Sequence, residues 1–477
     1  MIRDIAKNIV ALSVNGGIRI LFGMIVQILI GRVMGAENLG KFAVMTAYFA
    51  IFQIVMQFGL PTLLIREISR QRQDAARYWW TGTVLLLAAG AMAWGLEVGI
   101  ATLWGHPHDT FQMVVISGLG LIPFGLIITS EATVRGLERM EVIPVVQTIA
   151  YTVYTAVVVL VLYLHASVVM LAWALLSLQV VAGALYIMYF AYRRVILSRV
   201  HVDVALARRL IRQAFHFYGP SLAGVVPNRI TIIIVAKLLG EQAGGILNAA
   251  QVLTRALFFM GSAYFEALYP ALSRLFLAGK ERFRTGVRLA VQYGLLFSAT
   301  LSLAMMAWAP WLIGWIFGLP EYQASVPLLR ILVWQAVFFV LNGTLGTVEM
   351  SANRQDLTFY IALAKVLVFA VIIPVSTLLG GLTGTAMGIL VSSGVALLLH
   401  MVAVERVTRG IPPMAFWLKT IGVILVSALV TLRGPVSSLW AILPLSLATY
   451  IGGLVLVGTI RWHDMQTLRA HLTRGPL

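Results

Sequence analysis

Gly31-Arg32-Val33-Met34-Gly35-Ala36-Glu37-Asn38-Leu39-Gly40 and Ala236-Lys237-Leu238-Leu239-Gly240-Glu241-Gln242-Ala243-Gly244-Gly245 are one phrase written twice. Each runs from a small residue through a cation, two aliphatics and a glycine into a short acidic loop and a second glycine. Each is followed by a long apolar stretch that ends in a proline and an arginine, Pro61 and Arg66 in the first copy, Pro270 and Arg274 in the second. Both copies sit at the outer end of an odd-numbered apolar run. The halves therefore share an orientation, which predicts a pseudo-two-fold axis along a membrane normal and a substrate site near the midplane between repeats. The expected organisation is an N-terminal six-helix bundle (1–205), a C-terminal six-helix bundle (206–410), and two extra helices with a cytoplasmic tail (411–477).

Composition sets the medium. Hydrophobic residues make up 60% of the 477 and charged residues 11%, with mean hydropathy +0.92, far from the composition of a soluble domain. A bilayer core of about 30 Å takes roughly 20 apolar residues per helix. On that ruler the chain predicts an all-α integral membrane protein of about fourteen transmembrane helices. They start near Ile9, Phe42, Trp79, Phe111, Ile143, Val168, Gln213, Ile246, Val287, Ser325, Leu357, Leu382, Phe416 and Leu439. Short alternating strands are absent, and lipid admits only helices or closed barrels. The first apolar run contains Asn15 and Arg19, which suits a retained helix rather than a cleaved leader.

The net charge of +17 would suggest nucleic acid if it were patched, but it is layered. The N-terminus, alternate loops and the C-terminal tail carry 26 of the 35 Lys and Arg. The opposite loops hold only Arg32, Lys41, Lys237 and Arg433. By the positive-inside rule both termini are expected in the cytoplasm of a multi-pass protein of the cytoplasmic (inner) membrane. The clusters Arg66/Arg70/Arg72/Arg77, Arg193/Arg194/Arg199 and Arg274/Lys280/Arg282/Arg284 then face anionic inner-leaflet lipid. With no cysteine there is no disulfide and no thiolate chemistry.

Five basic residues remain, Arg19, Arg229, Arg255, Arg330 and Lys365, each inside an apolar stretch. A cation at that depth costs a few kcal/mol or more and by default faces a bundle interior and marks a pathway. Together they predict a central cationic cavity for an anionic substrate. Asn248, Gln251 and Arg255 fall at i, i+3 and i+7 and share a helix face, two amides and a guanidinium suited to a sugar-phosphate. Interhelical amide bonding is the alternative for them, and the favoured one for Gln53 and Gln57. Pro220 and Pro227 precede Arg229 and predict a kinked seventh helix. Arg330 lies near an outer end, where it can snorkel, and Lys365 can pair with an acid. Glu97 and Glu266 are the embedded acids, with Glu131 and Glu349 near inner ends. Salt bridging is the plain expectation for Glu266 and ion coupling the sharper one for Glu266 and Glu97. His106 and His108 in an outer HPHD loop lack a further ligand, so no metal is expected. No catalytic residue and no cofactor is expected. Trp79, Trp80, Trp308, Trp311 and Trp315 read as interfacial belts. Gly384-x-x-x-Gly388 reads as helix packing rather than a nucleotide loop.

In their order along the chain, GRVMGAENLGKF (Gly31 to Phe42), QFGLPTLLIREISR (Gln57 to Arg70), RGLERMEVIPVVQ (Arg135 to Gln147), LGEQAGGILNAAQVL (Leu239 to Leu253), EMSANRQDL (Glu349 to Leu357) and GGLTGTAMG (Gly380 to Gly388) are distinctive. Their succession resembles the polysaccharide (Wzx-type) lipid flippases of the multidrug/oligosaccharidyl-lipid/polysaccharide exporter superfamily. The resemblance implies a V-shaped pair of bundles that moves undecaprenyl-pyrophosphate-linked oligosaccharide from the inner to the outer leaflet for surface polysaccharide biosynthesis. Lipids and a glycan polymerase with its chain-length machinery are the implied partners. Many relatives carry an acid two positions after the arginine of the seventh helix, where this chain has Thr231. Acid-based ion coupling at that position is therefore in doubt.

Two other classes compete. A multidrug or cation antiporter of the same superfamily would want buried carboxylates, whereas cations dominate here. A membrane glycan polymerase or ligase would want a sizeable external loop, whereas every expected outer loop is short. No P-loop is present for ATP.

Overall fold

The computed structural model describes residues 2–193, 202–214, 219–433 and 439–458. Arg194 and Arg199 of one basic cluster, Ser198 between them, and the tail with Arg461, Trp462 and Leu468 lie outside the described residues. In chain order the α-helices are α1 (Ile2–Gln57), α2 (Leu60–Arg70), α3 (Ala75–Trp104), α4 (His108–Gly118), α5 (Leu121–Gly136), α6 (Val142–Tyr163), α7 (Met170–Arg193) and α8 (Val204–Ala214). They continue as α9 (Gly219–Leu239), α10 (Glu241–Leu277), α11 (Lys280–Ile316), α12 (Ser325–Leu332), α13 (Gln335–Ser351), α14 (Gln355–Thr408), α15 (Met414–Arg433) and α16 (Leu439–Leu456). Ten helical stretches are long and apolar enough to cross a membrane among the described residues. Helix satisfies every backbone amide without water, which is what hydrocarbon demands.

The repeat is visible in the backbone breaks. α1 turns at Gly35 (φ 83°) and its counterpart α9 ends at Gly240 (φ 92°). Gly105 (φ 67°) ends α3, and Gly318 (φ 95°) follows α11. The α5–α6 turn carries Glu138 (φ 60°) and the α13–α14 turn Asn353 (φ 59°). His165 (φ 48°) follows α6, and Gly381 (φ 57°) breaks α14. Left-handed conformations come at no steric cost only to glycine, so four matched pairs in one order mark a duplicated chain.

Two compact units result, the first Met1–Ala249 with Ile373–Leu382, the second Ala250–Ile372 with Thr383–Leu477. Compactness thus cuts α10 and α14 in mid-helix. In the first unit α1 packs on α3, α4, α6 and α9, and α3 packs on α5. A Cβ at Gly90 would stand 2.6 Å from the Leu121 carbonyl oxygen, and one at Gly125 2.6 Å from that of Leu86. Glycine lets α3 and α5 approach backbone to backbone, as small residues do in membranes. α2 and α8 are short, charged and packed together, with Leu206, Leu210 and Ala214 forming the buried face of α8. Asp203 starts α8, accepting from Leu206 N at 3.0 Å and pairing with Arg77. Those bonds, that of Leu206 first, hold its carboxyl down at about 2.

In the second unit α13 and α16 pack on α11, and α15 packs on α16. Ser302 Oγ donates to the Val333 carbonyl at 2.9 Å, and Tyr264 donates to that of Ala290 at 2.7 Å. Trp79 departs from the interfacial belt expected of it: it is buried and donates Nε1 to Ser130 Oγ at 3.1 Å. The indole serves as core filler between α3 and α5, because its polar edge finds a partner inside. Trp311 and Trp315 are exposed and stacked.

Candidate functional site

The two copies of the opening phrase meet inside the first unit. A Cβ built on Gly40 would fall on the Glu241 carbonyl, and one built on Gly245 would fall on the Ala36 carbonyl. Gly40 and Gly245 are equivalent positions of the repeat, as are Ala36 and Glu241. The contact is therefore self-complementary, the form a two-fold relation produces. Charge surrounds it. Lys41 Nζ lies 3.1 Å from Glu37, 3.3 Å from Asp109 and 3.9 Å from Glu241, and Thr110 donates to Glu241. Lys237 Nζ donates to the Trp104 carbonyl at 2.6 Å. His106 Nε2 lies 2.9 Å from the Tyr48 hydroxyl. Burial and then Lys237 depress the His106 imidazole to about 4, so it is neutral at physiological pH. Among the described residues no group of His, Asp and Glu is arranged to hold a metal.

Deeper in the same unit stand two of the expected cations. Arg19 on α1 is exposed despite its mid-helix position. Its guanidinium bonds the Tyr151 hydroxyl on α6 and feels Glu131 and Tyr186. Arg229 on α9, partly exposed, is close enough for the two arginines to act on each other. The packing of α6 and α9 on α1 brings this set together. Like charges in a medium of low polarity repel strongly, and no carboxylate lies within salt-bridge distance of either arginine among the described residues. Glu131 is already held by Gln147 Nε2 at 2.9 Å and Arg135 at 3.3 Å. Such a pair is suited to an anion with several oxygens, which guanidinium grips bidentately.

The other expected residues are distributed. Asn248 is buried and donates to Gln27 Oε1 at 3.0 Å, an interhelical amide bond inside the first unit. Gln251, Arg255, Glu266, Arg330 and Lys365 belong to the second unit. Gln251 and Arg255 are half-buried. The Arg330 Nε is buried without a hydrogen-bond partner. Lys365 sits over the Phe369 ring at 5.8 Å, a cation–π contact rather than an acid pair. Glu266 is exposed and makes no salt bridge among the described residues. Glu97 is fully buried with both carboxyl oxygens unpartnered. Gln57 donates to the Gln53 carbonyl at 2.9 Å, a bond within its own helix.

One buried group was not foreseen as a unit. Glu349 Oε1 lies 2.8 Å from His400 Nδ1, and its Oε2 accepts from Thr358 Oγ1 at 2.6 Å. A histidine 51 residues from its acid leaves no local spacing to read.

The polysaccharide biosynthesis protein family matches residues 5–276. The chain belongs to that family. It is a multi-pass membrane protein whose motifs resemble those of the Wzx-type lipid flippases. Teichuronic acid biosynthesis protein TuaB of Bacillus subtilis (strain 168) is 23% identical over 332 residues, 65% of this chain and 63% of that protein. The matched stretch thus spans less than two thirds of the Bacillus relative. An uncharacterized membrane protein in the cps region of Klebsiella pneumoniae is 20% identical over 397 residues, 80% of this chain and 78% of that one. Among solved structures, the lipid II flippase MurJ in an inward closed conformation superposes with TM-score 0.73 at 10% identity, covering 95% of this chain and 99% of that one. The eukaryotic MATE transporter AtDTX14 gives 0.60 at 15% identity, covering 84% and 96%. At such identities the likeness speaks for the fold alone.

Proposed function

We propose that this family member is a flippase that moves polyprenyl-pyrophosphate-linked oligosaccharide, of the undecaprenyl kind, from the inner to the outer leaflet of the cytoplasmic membrane. It acts as a transporter and not as an enzyme. The observation that carries the reading is the Arg19–Arg229 pair, two embedded guanidiniums with no carboxylate paired to either among the described residues. A pyrophosphate head brings about two negative charges and relieves their repulsion. Gln251, Arg255, Arg330 and Lys365 are substrate contacts of the second unit, while Asn248 holds α10 to α1. The tail stays in lipid, and the repeats 1–205 and 206–410 supply the moving halves. Both termini are cytoplasmic, and a glycan polymerase with chain-length machinery takes the product.

The test is complementation of glycan export in a flippase-deficient strain, with membrane protein levels measured in parallel. Arg19→Ala and Arg229→Ala should abolish export at normal protein level, Arg→Lys should keep part of it, and Arg→Glu should be worst. Wild-type export from both alanine variants would leave the pair as a helix contact and defeat the reading. For topology, reporters at Gln73 and Lys280 should report cytoplasm, and those at His106, Glu241 and Glu321 the outside.

A further inference from the structure

Glu97 has no structural explanation. It sits on α3 inside a membrane-spanning stretch, its exposure is 0%, and neither oxygen has a hydrogen-bond partner. Two other buried acids are different: Glu131 and Glu349 each engage both oxygens. A lone ionised carboxylate in such surroundings costs several kcal/mol, and a group so placed takes up a proton instead. The pocket is tight. A Cβ at Gly118 on α4 would stand 2.7 Å from Glu97 Oε2 and 2.8 Å from the Trp94 ring. Glycine at 118 thus makes the room that the carboxyl occupies.

The neighbourhood supplies a route. The Glu97 carboxyl acts through space, without a hydrogen bond, on the buried Tyr48 hydroxyl of α1. That hydroxyl lies 2.9 Å from His106 Nε2, and the two rings meet edge to face at 5.4 Å. His106 is partly exposed at the end of α3, and its imidazole is neutral at physiological pH. Other charges face this end from each packed element: Lys41 and Glu37 from α1, Asp109 and His108 from α4, Lys237 from α9 and Glu241 from α10. Lys41, Glu37, Asp109 and Glu241 are bound to one another, and Lys237 to the Trp104 carbonyl.

We propose that Glu97 is a proton-carrying site within the first unit, served from the helix end that holds His106 through the Tyr48 hydroxyl and the His106 imidazole. On the proposed topology that end faces outward, so the inference rests on the transport reading for its purpose and deepens it by naming the coupled ion. The transfer balances. The Glu97 O–H bond breaks and leaves a carboxylate. A water molecule admitted beside Glu97 takes up that proton and hands one of its own to the Tyr48 oxygen, while the Tyr48 hydroxyl proton passes to His106 Nε2. Nδ1 then releases a proton to bulk water, and the ring returns by exchanging tautomer. The carboxylate so formed is the costly state, so release is tied to a conformation that admits water or a cation to Glu97.

The test uses the full chain in nanodiscs and infrared difference spectroscopy of the carboxylic-acid C=O band. A protonated-carboxyl band is expected at neutral pH that disappears in Glu97→Gln and persists in Glu266→Gln. Its shift on transfer to D2O should slow at least tenfold in Tyr48→Phe and in His106→Leu. In the export assay Glu97→Gln, fixed in the neutral form and of equal size, should lose transport at normal protein level. Absence of the Glu97-dependent band overturns the site. An unchanged exchange rate in both relay variants overturns the route, and wild-type export from Glu97→Gln overturns the coupling. The infrared arm needs no substrate, so it stands or falls apart from the identity of the cargo.

Discussion

The turn from α5 to α6 and the turn from α13 to α14 have one backbone and two chemistries. Arg139 N bonds the Val134 carbonyl at 2.9 Å in the first, and Arg354 N bonds the Glu349 carbonyl at 2.8 Å in the second. Val142 N to Arg139 O and Leu357 N to Arg354 O repeat at 3.2 and 3.1 Å. Each turn keeps a buried acid beside it that ties one helix to the next, but the partners differ. Glu131 takes an amide and a guanidinium, whereas Glu349 takes a hydroxyl and an imidazole. Duplication preserved the path of the chain and left the side chains free to diverge, so equivalent positions should resemble each other in strain and differ in charge response.

The sharpest way to break this symmetry is at the glycine contact itself. Gly40→Val and Gly245→Val each drive a side chain into a carbonyl of the other copy. Both should abolish folded protein in detergent size-exclusion profiles, and to the same degree. If one is tolerated, the contact is not shared equally. Next come the buried acids. Glu349→Ala strands His400 and Thr358 and should cost about 3 kcal/mol, whereas Glu131→Ala, whose Arg135 partner reaches water, should cost about 1–2 kcal/mol. Thermal midpoints in one detergent would rank them, and a reversed order would show that the two turns are not built on the same plan.

A smaller effect separates the C-terminal ends of α3 and α11 by pH. His106 has its folded value near 4 against about 6.5 unfolded. The unfolded chain therefore binds the extra proton first as pH falls. Stability from this group is fully present above about 6.5 and drains away between there and about 4. His106→Gln should flatten that acid slope, while the counterpart loop at Gly318–Pro320, with no titratable residue, should add none. Smallest is the surface: Arg72→Ala, which breaks an exposed pair with Glu138 at 2.7 Å, should move stability by less than about 1 kcal/mol. Arg354→Ala beside Asp356 should leave the midpoint where it was.

Hydropathy located the helices because lipid imposes a single rule on every span, and ten helical stretches among the described residues are long and apolar enough to cross a membrane. The repeat was legible for a related reason: Gly35 and Gly240 must be glycine-like for the chain to turn. Partner choice was not legible. Arg19 meets Tyr151 and Glu349 meets His400 across gaps that no local period encodes. The Trp79 reading failed because a tryptophan near a span end and one whose N–H finds Ser130 look alike in sequence. Glu97 and Glu266 were indistinguishable as letters, and burial alone separates them.

The contact of Gly40 with Gly245 is made of main chain, so closing it immobilises no rotamers and opening it liberates none. Its grip falls instead to the charges around it, Lys41 above all. A joint of that kind behaves as a catch rather than a weld. The fit of bare backbone decides where it can shut, and ionic strength adjusts how firmly it holds.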